Sequence, residues 1–298
     1  MSGRASERVV AVIHGVARRD EAGFRKEVEL LAERLDVSAR FVPIFWGDIA
    51  RPDDRIESVV PHQGWAAGPN ESTDDGETSV RLRQALRDRD LEVVIDDIAA
   101  GWRRRSAASR NRILAAVYGL VRGQYLKASA QFTGDLIYYH RHRSELWGRF
   151  WETLMREAPG VGLPERPLTV IGHSLGATVA FDMAIEAEPR LHVDHLLTCA
   201  TQTPFFHVIG CSPPSIDPAG AGLRAQLPPQ IGRWTNFYVA LDPWAYAAAP
   251  VFTMADGARP RDVEVHAGTR DDRIVTHLAR HYLQHPTVID EIRRSLSE

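Results

Sequence analysis

Ser174 lies at the centre of a Gly-x-Ser-x-Gly pattern that Gly172 and Gly176 complete. The apolar run Leu168–Ile171 precedes the pattern and an apolar stretch beginning at Ala177 follows it, which predicts a strand, a sharp turn and a helix. Glycine at the two flanking positions leaves room for such a turn, because a side chain there would clash with the backbone. The helix N-terminus would also stabilise negative charge beside the hydroxyl. Ser174 is therefore the candidate nucleophile.

A nucleophilic serine needs a histidine base, and the base needs an acid that orients it. When the serine lies on such a turn, the acid and then the histidine follow it along the chain. Asp242 comes directly after the predicted strand Phe237–Leu241 and before Pro243, which prevents further strand pairing. Asp242 is therefore the candidate acid. The other acids considered lie in a helix, before a strand, in Pro/Gly-rich loops or too close to the candidate histidine: Asp182, Asp194, Asp217, Asp256, Asp271 and Asp272.

The candidate base is one of the histidines that follow the last predicted strand, Val263–His266. His277, His281 and His285 have the spacing of one helical face. His277 is nearest to the preceding loop and is the expected base, with His281 as the alternative. The spacing would also suit a metal ion, but the segment lacks the glutamate of the His-Glu-x-x-His pattern, and no thiol or acid completes a ligand set. We therefore expect neither a metal ion nor an organic cofactor.

Two backbone N–H groups should stabilise the oxyanion that forms when a serine attacks a carbonyl. One is expected from Leu175, directly after the nucleophile. The other is expected from Val16, in the loop after the first strand, where Gly15 lets the backbone approach a ligand closely. His14 and His173 are expected to shape this site rather than to carry protons.

The elements that must position these residues alternate between strands and helices, which predicts a mostly parallel sheet with helices on both faces. The predicted strands are Val9–Ile13, Phe41–Trp46, Leu168–Ile171, Leu196–Cys199, Phe237–Leu241 and Val263–His266. One predicted helix carries Phe24, Val28, Leu31 and Leu35 on one face. Another is marked by Leu146, Phe150, Trp151 and Leu154 and ends before Pro159. Further helices are predicted over Ala177–Glu188 and over Thr276–Leu296, the latter with a break at Pro286.

Residues at about 50–130 interrupt this pattern and predict an insertion into one catalytic domain that spans 1–298. Residues 51–80 hold two arginines against seven acids, and residues 81–127 hold eleven basic against five acidic residues. The two halves could face each other, or a basic helix with Trp102 and Arg103–Arg105 could contact an anionic membrane. We expect a largely helical lid in which Trp65, Trp102 and Tyr125 form an acyl or lipid pocket; the alternative is an insertion that only stabilises the sheet.

The overall composition excludes several classes of protein. A net charge of −3 over 298 residues gives no global basic field for nucleic acid. Two cysteines cannot form a disulfide framework. No apolar run approaches the roughly 18 residues of a membrane span, and the first residues lack the apolar core of a signal peptide. These features predict a cytoplasmic protein and leave its oligomeric state open.

Several stretches together resemble the α/β-hydrolase superfamily and, within it, the lipase-like serine esterases, a group that includes relatives of the GPI-inositol deacylase and of the lecithin acyltransferases. They span most of the chain outside about 50–130. The resemblance implies an α/β-hydrolase fold and a small-molecule or lipid ester as substrate. The stretches that carry it are Val12–Gly15, Phe45–Asp48, Ile171–Gly176, Trp234–Pro243 and His277–Val288.

Two positions depart from that family's pattern. Its members have a histidine three residues before the tyrosine that corresponds to Tyr282, where this chain has Ala279 between His277 and His281. The choice of base therefore stays open between those two histidines. The stretch Thr198–Thr201 stands where Gly-Ser-Pro is common, so the floor of the acyl pocket is expected to differ.

Taken together, these residues predict hydrolysis of carboxylic esters through an acyl-enzyme. Thioesterases and acyltransferases use the same triad, and the sequence does not distinguish them. A binding protein that carries the triad without using it is the alternative from a different class, because a fold does not fix a function.

Overall fold

The computed structural model describes residues 7–49, 132–211, 216, 224–240, 242–266 and 277–297. The insertion predicted at about 50–130 lies outside these ranges, and its lid function and membrane contact stay predictions. The chain divides into two units, Met1–Arg51 with Asp135–Glu298 and Pro52–Gly134. The following description concerns the first unit. Other residues singled out above that lie outside the described ranges are Asp217, Leu241, Asp271, Asp272 and Thr276.

The first unit is built on a parallel sheet of six strands in the order β2-β1-β3-β4-β6-β8. A separate pair, β5 and β7, is also parallel. This architecture is the predicted α/β-hydrolase fold. The strands are β1 Arg8–Ile13, β2 Ala39–Ile44, β3 Leu168–His173, β4 Val193–Cys199, β5 Ala225–Gln226, β6 Ile231–Tyr238, β7 Phe252–Thr253 and β8 Arg261–Glu264.

Helices cover both faces of this sheet, because alternate residues of a strand point to opposite faces. Along β1, Val9 and Ala11 belong to one apolar cluster, and Val10 and Val12 belong to the other. Among the described helices, none has the length and apolar character of a membrane span. Residues 135–141 are helical, and the other described helices are α1 Glu21–Leu35, α2 Arg143–Glu157, α3 Leu175–Ile185, α4 Thr203–Val208, α5 Ala279–Leu283 and α6 Pro286–Ser297.

The ends and the buried face of helix α1 follow from its local sequence. Asp20 caps its N-terminus by accepting a hydrogen bond from the Gly23 N–H, and Asp36 ends it in the left-handed conformation. The four apolar residues predicted to share a face are the buried ones. This helix lies on the face of the sheet that also carries α6. Those buried residues are Phe24, Val28, Leu31 and Leu35.

All six predicted strands are present with shifted bounds, and two of them show why. Strand β2 ends at Ile44 rather than at Trp46, because the Trp46 N–H donates to His14 Nε2 instead of to a neighbouring strand. Strand β6 begins at Ile231, six residues before the predicted start, since its pairing with β4 includes the polar Arg233 and Thr235. Tertiary pairing overrides the local apolar pattern here.

Asp182 is buried within α3. Among the described residues, no hydrogen bond joins it to the candidate serine. The Tyr139 hydroxyl donates to its Oδ2 over 2.6 Å, and Arg143 Nε lies 3.9 Å from the same oxygen. Burial raises the pKa of Asp182 to about 7, although the Tyr139 hydrogen bond and the Arg143 charge oppose this shift. The side chain therefore joins α3 to the 135–141 helix.

Replacing Asp182 with asparagine is expected to flatten part of the pH dependence of stability. The folded pKa of about 7 lies above the ordinary value of 3.8, so this carboxyl's contribution to stability is complete below about pH 4 and is lost as the pH rises through about 7. In urea unfolding between pH 4 and pH 8, the free energy of unfolding of the wild type should fall relative to that of the variant. A constant difference between the two proteins would contradict this assignment.

Candidate active site

Ser174 lies on a strained turn between β3 and α3. Its backbone has φ 54° and ψ −128°, a conformation that costs an ordinary residue about 1–3 kcal/mol. A Cβ at Gly172 would come within 2.6 Å of Ala177 Cα, and one at Gly176 within 2.4 Å of the His14 carbonyl oxygen. Both glycines are therefore required by the close packing of the turn, as the sequence predicts.

Ser174, His277 and Asp242 form one continuous chain of hydrogen bonds. Ser174 Oγ lies 2.9 Å from His277 Nε2, and His277 Nδ1 lies 3.1 Å and 3.0 Å from the two Asp242 carboxylate oxygens. The serine and the acid are buried, whereas the histidine side chain is 21% exposed. Of the two candidate histidines, His277 makes the contact with Ser174, and His281 lies in α5. The arrangement provides a hydroxyl, a neighbouring imidazole and a carboxylate that orients the imidazole.

Tyr282 also holds the candidate acid in place. Its hydroxyl donates to Asp242 Oδ2 over 2.7 Å and accepts from the Val239 N–H, while the Trp244 N–H donates to Asp242 Oδ1. Burial alone would raise the pKa of Asp242, but the His277 hydrogen bond and charge and the two donors lower it below its ordinary value. Asp242 is therefore ionised and fixed in orientation. Sequence reasoning missed this contact, although Tyr282 was part of the family resemblance.

His173 joins the turn to the candidate base. Its ring lies 5.3 Å from the His277 ring, and its Nε2 lies 3.0 Å from the His277 carbonyl oxygen. Burial lowers the pKa of His173 to about 3, so the ring is neutral and its Nε2–H donates to that carbonyl. This contact places the His277 backbone, and the proposal that His173 carries no catalytic proton stays a prediction.

His14 fixes the loop that follows β1. Its Nε2 accepts from the Trp46 N–H at 3.1 Å, which leaves the proton on Nδ1, 2.7 Å from the Gly15 carbonyl oxygen. Burial lowers the pKa of His14 to about 3 and keeps the ring neutral. Because the C=O and N–H of a trans peptide point in opposite directions, this bond to the Gly15 carbonyl also sets the direction of the Val16 N–H.

The loop after β1 packs directly against the serine. A Cβ at Gly15 would come within 2.6 Å of Ser174 Cβ, so only glycine fits without displacing one of them. Leu175 is the first residue of α3, where a backbone N–H has no acceptor within the helix. The two predicted donors, Val16 and Leu175, therefore belong to the two segments that flank Ser174.

Asp135 holds the same loop from the 135–141 helix. Its buried carboxylate accepts from the Ala17 N–H at 2.7 Å and from Arg19 Nη2 at 2.5 Å. Ala17 has φ 60°, which is strained for a residue with a side chain. The sequence gives no signal for this contact, because residues 17 and 135 are far apart along the chain.

Gln202 is a second residue in the site that sequence reasoning did not identify. It is 1% exposed, and its Oε1 lies 3.4 Å from Ser174 Oγ. It follows Thr198–Thr201, the stretch at the end of β4 whose sequence departs from the family pattern. That departure was the one indication in the sequence that this part of the site differs from the family's.

Part of the chain matches a protein-family model. Residues 155–238 match the model of the Thioesterase domain, an α/β-hydrolase-type family with serine esterase activity. The matched segment includes Ser174 and ends before Asp242 and His277. A comparison with curated proteins finds no match. The match supports hydrolysis of ester or thioester bonds in general.

Proposed function

The chain has the α/β-hydrolase fold, and we propose that it is a serine hydrolase that cleaves carboxylic esters or thioesters through an acyl-enzyme. The observation that carries this proposal is the unbroken hydrogen-bond chain from Ser174 through His277 to Asp242, with Ser174 in the left-handed region of backbone conformation at φ 54°. The Thioesterase match over residues 155–238 supports the same class of reaction. The proposed substrate is a small molecule with an ester or thioester carbonyl.

In the first half of the reaction, His277 Nε2 removes the proton from Ser174 as Oγ attacks the carbonyl carbon. The negative charge then develops on the carbonyl oxygen, where the N–H groups of Val16 and Leu175 would stabilise it. The His277 imidazolium gives its proton to the departing alcohol or thiol. This leaves the acyl group on Ser174.

In the second half, His277 removes a proton from water, which attacks the acyl carbon. The imidazolium then returns its proton to Ser174 Oγ as the carboxylic acid leaves. Asp242 stays ionised throughout and stabilises each imidazolium, because its own pKa is held below the ordinary value. Tyr282 keeps the carboxylate facing Nδ1.

The direct test is a panel of matched substrates on the purified wild-type protein. Each acyl group, from acetyl to long-chain acyl, is offered both as an oxygen ester and as a thioester. We expect hydrolysis of at least one series above the uncatalysed rate, and addition of an acceptor alcohol distinguishes acyl transfer from hydrolysis. The absence of turnover across the whole panel would contradict the proposal and favour a binding protein on this fold.

Asp135 provides a test of the oxyanion loop. Replacing Asp135 with alanine is expected to lower kcat about tenfold with little change in KM, because the Ala17 N–H loses the acceptor that holds the residue next to Val16. Asparagine keeps an oxygen acceptor for this N–H and should retain most of the wild-type kcat. Steady-state kinetics on the best ester measures both variants. If alanine lowered only the melting temperature and left kcat unchanged, Asp135 would be purely structural.

A further inference from the structure

Gln202 presents a fixed hydrogen-bond acceptor to the candidate nucleophile. Its Nε2 donates to the Ala200 carbonyl oxygen at 2.7 Å and to the Trp244 carbonyl oxygen at 2.9 Å. Only the amide nitrogen can make these two bonds, since a flipped amide would place its oxygen against two other oxygens. Oε1 must therefore face Ser174 Oγ.

The orientation of Gln202 has a consequence for the reaction. The Ser174 hydroxyl has one proton, and attack on a carbonyl requires that proton to be donated to His277 Nε2. In that arrangement Ser174 no longer donates to Gln202 Oε1, which is buried beside the reacting atoms. A buried acceptor that loses its donor costs free energy, because it is left without a hydrogen bond. A substrate that supplies a donor to Oε1 avoids this cost.

The position of Oε1 indicates which part of the substrate would supply the donor. In the acyl-enzyme, the carbon next to the carbonyl lies two bonds from Oγ. Oε1 lies 3.4 Å from Oγ, which is close enough for a hydroxyl or N–H on that carbon to be oriented towards Oε1 at a hydrogen-bond distance of about 2.8 Å. The alcohol or thiol part of the substrate is bonded to the other side of the carbonyl carbon and is absent from the acyl-enzyme. The donor to Oε1 would therefore belong to the acyl part of the substrate.

We propose that Gln202 determines acyl specificity and favours acyl groups with a hydroxyl or N–H donor on the carbon next to the reacting carbonyl. The proposal rests on the acyl-enzyme chemistry proposed above for Ser174. Sites built to bind a substrate hydroxyl discriminate strongly against analogues that lack it, because the protein group is then left unpaired.

The test uses three activated esters that differ only at this carbon: butyrate, 2-hydroxybutyrate and 2-methoxybutyrate. The methoxy ester matches the hydroxy ester closely in electron withdrawal but is one methyl group larger and has no donor, whereas butyrate is smaller and also has no donor. We expect the wild type to favour the hydroxy over the methoxy ester by about tenfold or more in kcat/KM. Gln202→Met should bring this ratio close to one, whereas Gln226→Met, at an exposed glutamine in β5, should leave it unchanged.

A structural role for Gln202 predicts a different result. Loss of the bonds to Ala200 and Trp244 would lower activity on all three esters equally and leave the hydroxy-to-methoxy ratio as in the wild type. A wild-type ratio near one, with butyrate still hydrolysed, would overturn the specificity role while the serine hydrolase proposal stands. Failure of the wild type to hydrolyse any of the three, together with no turnover of the wider panel, would overturn both.

Discussion

Replacing Ser174 with alanine is expected to lower kcat by roughly 10⁴-fold or more on any ester that the wild type hydrolyses. Without Oγ no acyl-enzyme can form, and only the oxyanion donors and substrate binding remain to accelerate attack by water. Alanine differs from serine by one oxygen atom, and no other hydrogen bond of the described residues uses Oγ beyond those to His277 and Gln202. The turn should therefore be retained.

Ser295→Ala provides the matched control for this variant. Ser295 is also buried, but its hydroxyl donates to the Glu291 carbonyl oxygen within α6. We expect kcat to stay within about twofold of the wild type, since surface and helix positions away from a site act on stability rather than on chemistry. Steady-state rates and melting temperatures of both variants separate loss of chemistry from loss of fold. A Ser174→Ala protein that kept about a tenth of the wild-type kcat would exclude a serine nucleophile at this position.

Replacing His277 with alanine is expected to lower kcat by roughly 10⁴-fold, because the base, the later acid and the partner of Asp242 are removed together. His281→Ala is the natural control, since it deletes the same ring from the same segment and was the alternative base. Its kcat should stay within about threefold of the wild type. Rates at saturating substrate, with protein folding checked by circular dichroism, compare the two directly. If His281→Ala lowered kcat more than His277→Ala, the assignment of the base would be reversed.

Local pattern was sufficient to predict the turn and its nucleophile candidate. The strand before Ser174, the two glycines and the helix after it are neighbours in sequence. Their packing against one another can therefore be predicted from one short segment of the chain. The position of Asp242 could also be predicted, because parallel strands bring their carboxyl ends to one edge of the sheet. The sheet itself follows from the alternation of strands and helices.

Contacts between distant segments could not be predicted in this way. His277 precedes α5 and His281 lies within it, four residues later, and only the packing of this segment against the sheet determines which ring comes within 2.9 Å of Ser174 Oγ. The bond from Ala17 to Asp135 and the approach of Gln202 to the serine also join parts of the chain far apart in sequence. These depend on tertiary packing rather than on periodicity.

The central claim is that Ser174 is an activated nucleophile, and covalent labelling tests it most directly. A fluorophosphonate probe reacts with a serine whose proton is removed by a neighbouring base. Intact-mass and peptide mass spectrometry of the wild-type protein should show one probe adduct, located on Ser174, and Ser174→Ala should show none. A purified, folded wild-type protein that takes up no probe, or takes it up equally when Ser174 is alanine, would contradict the account.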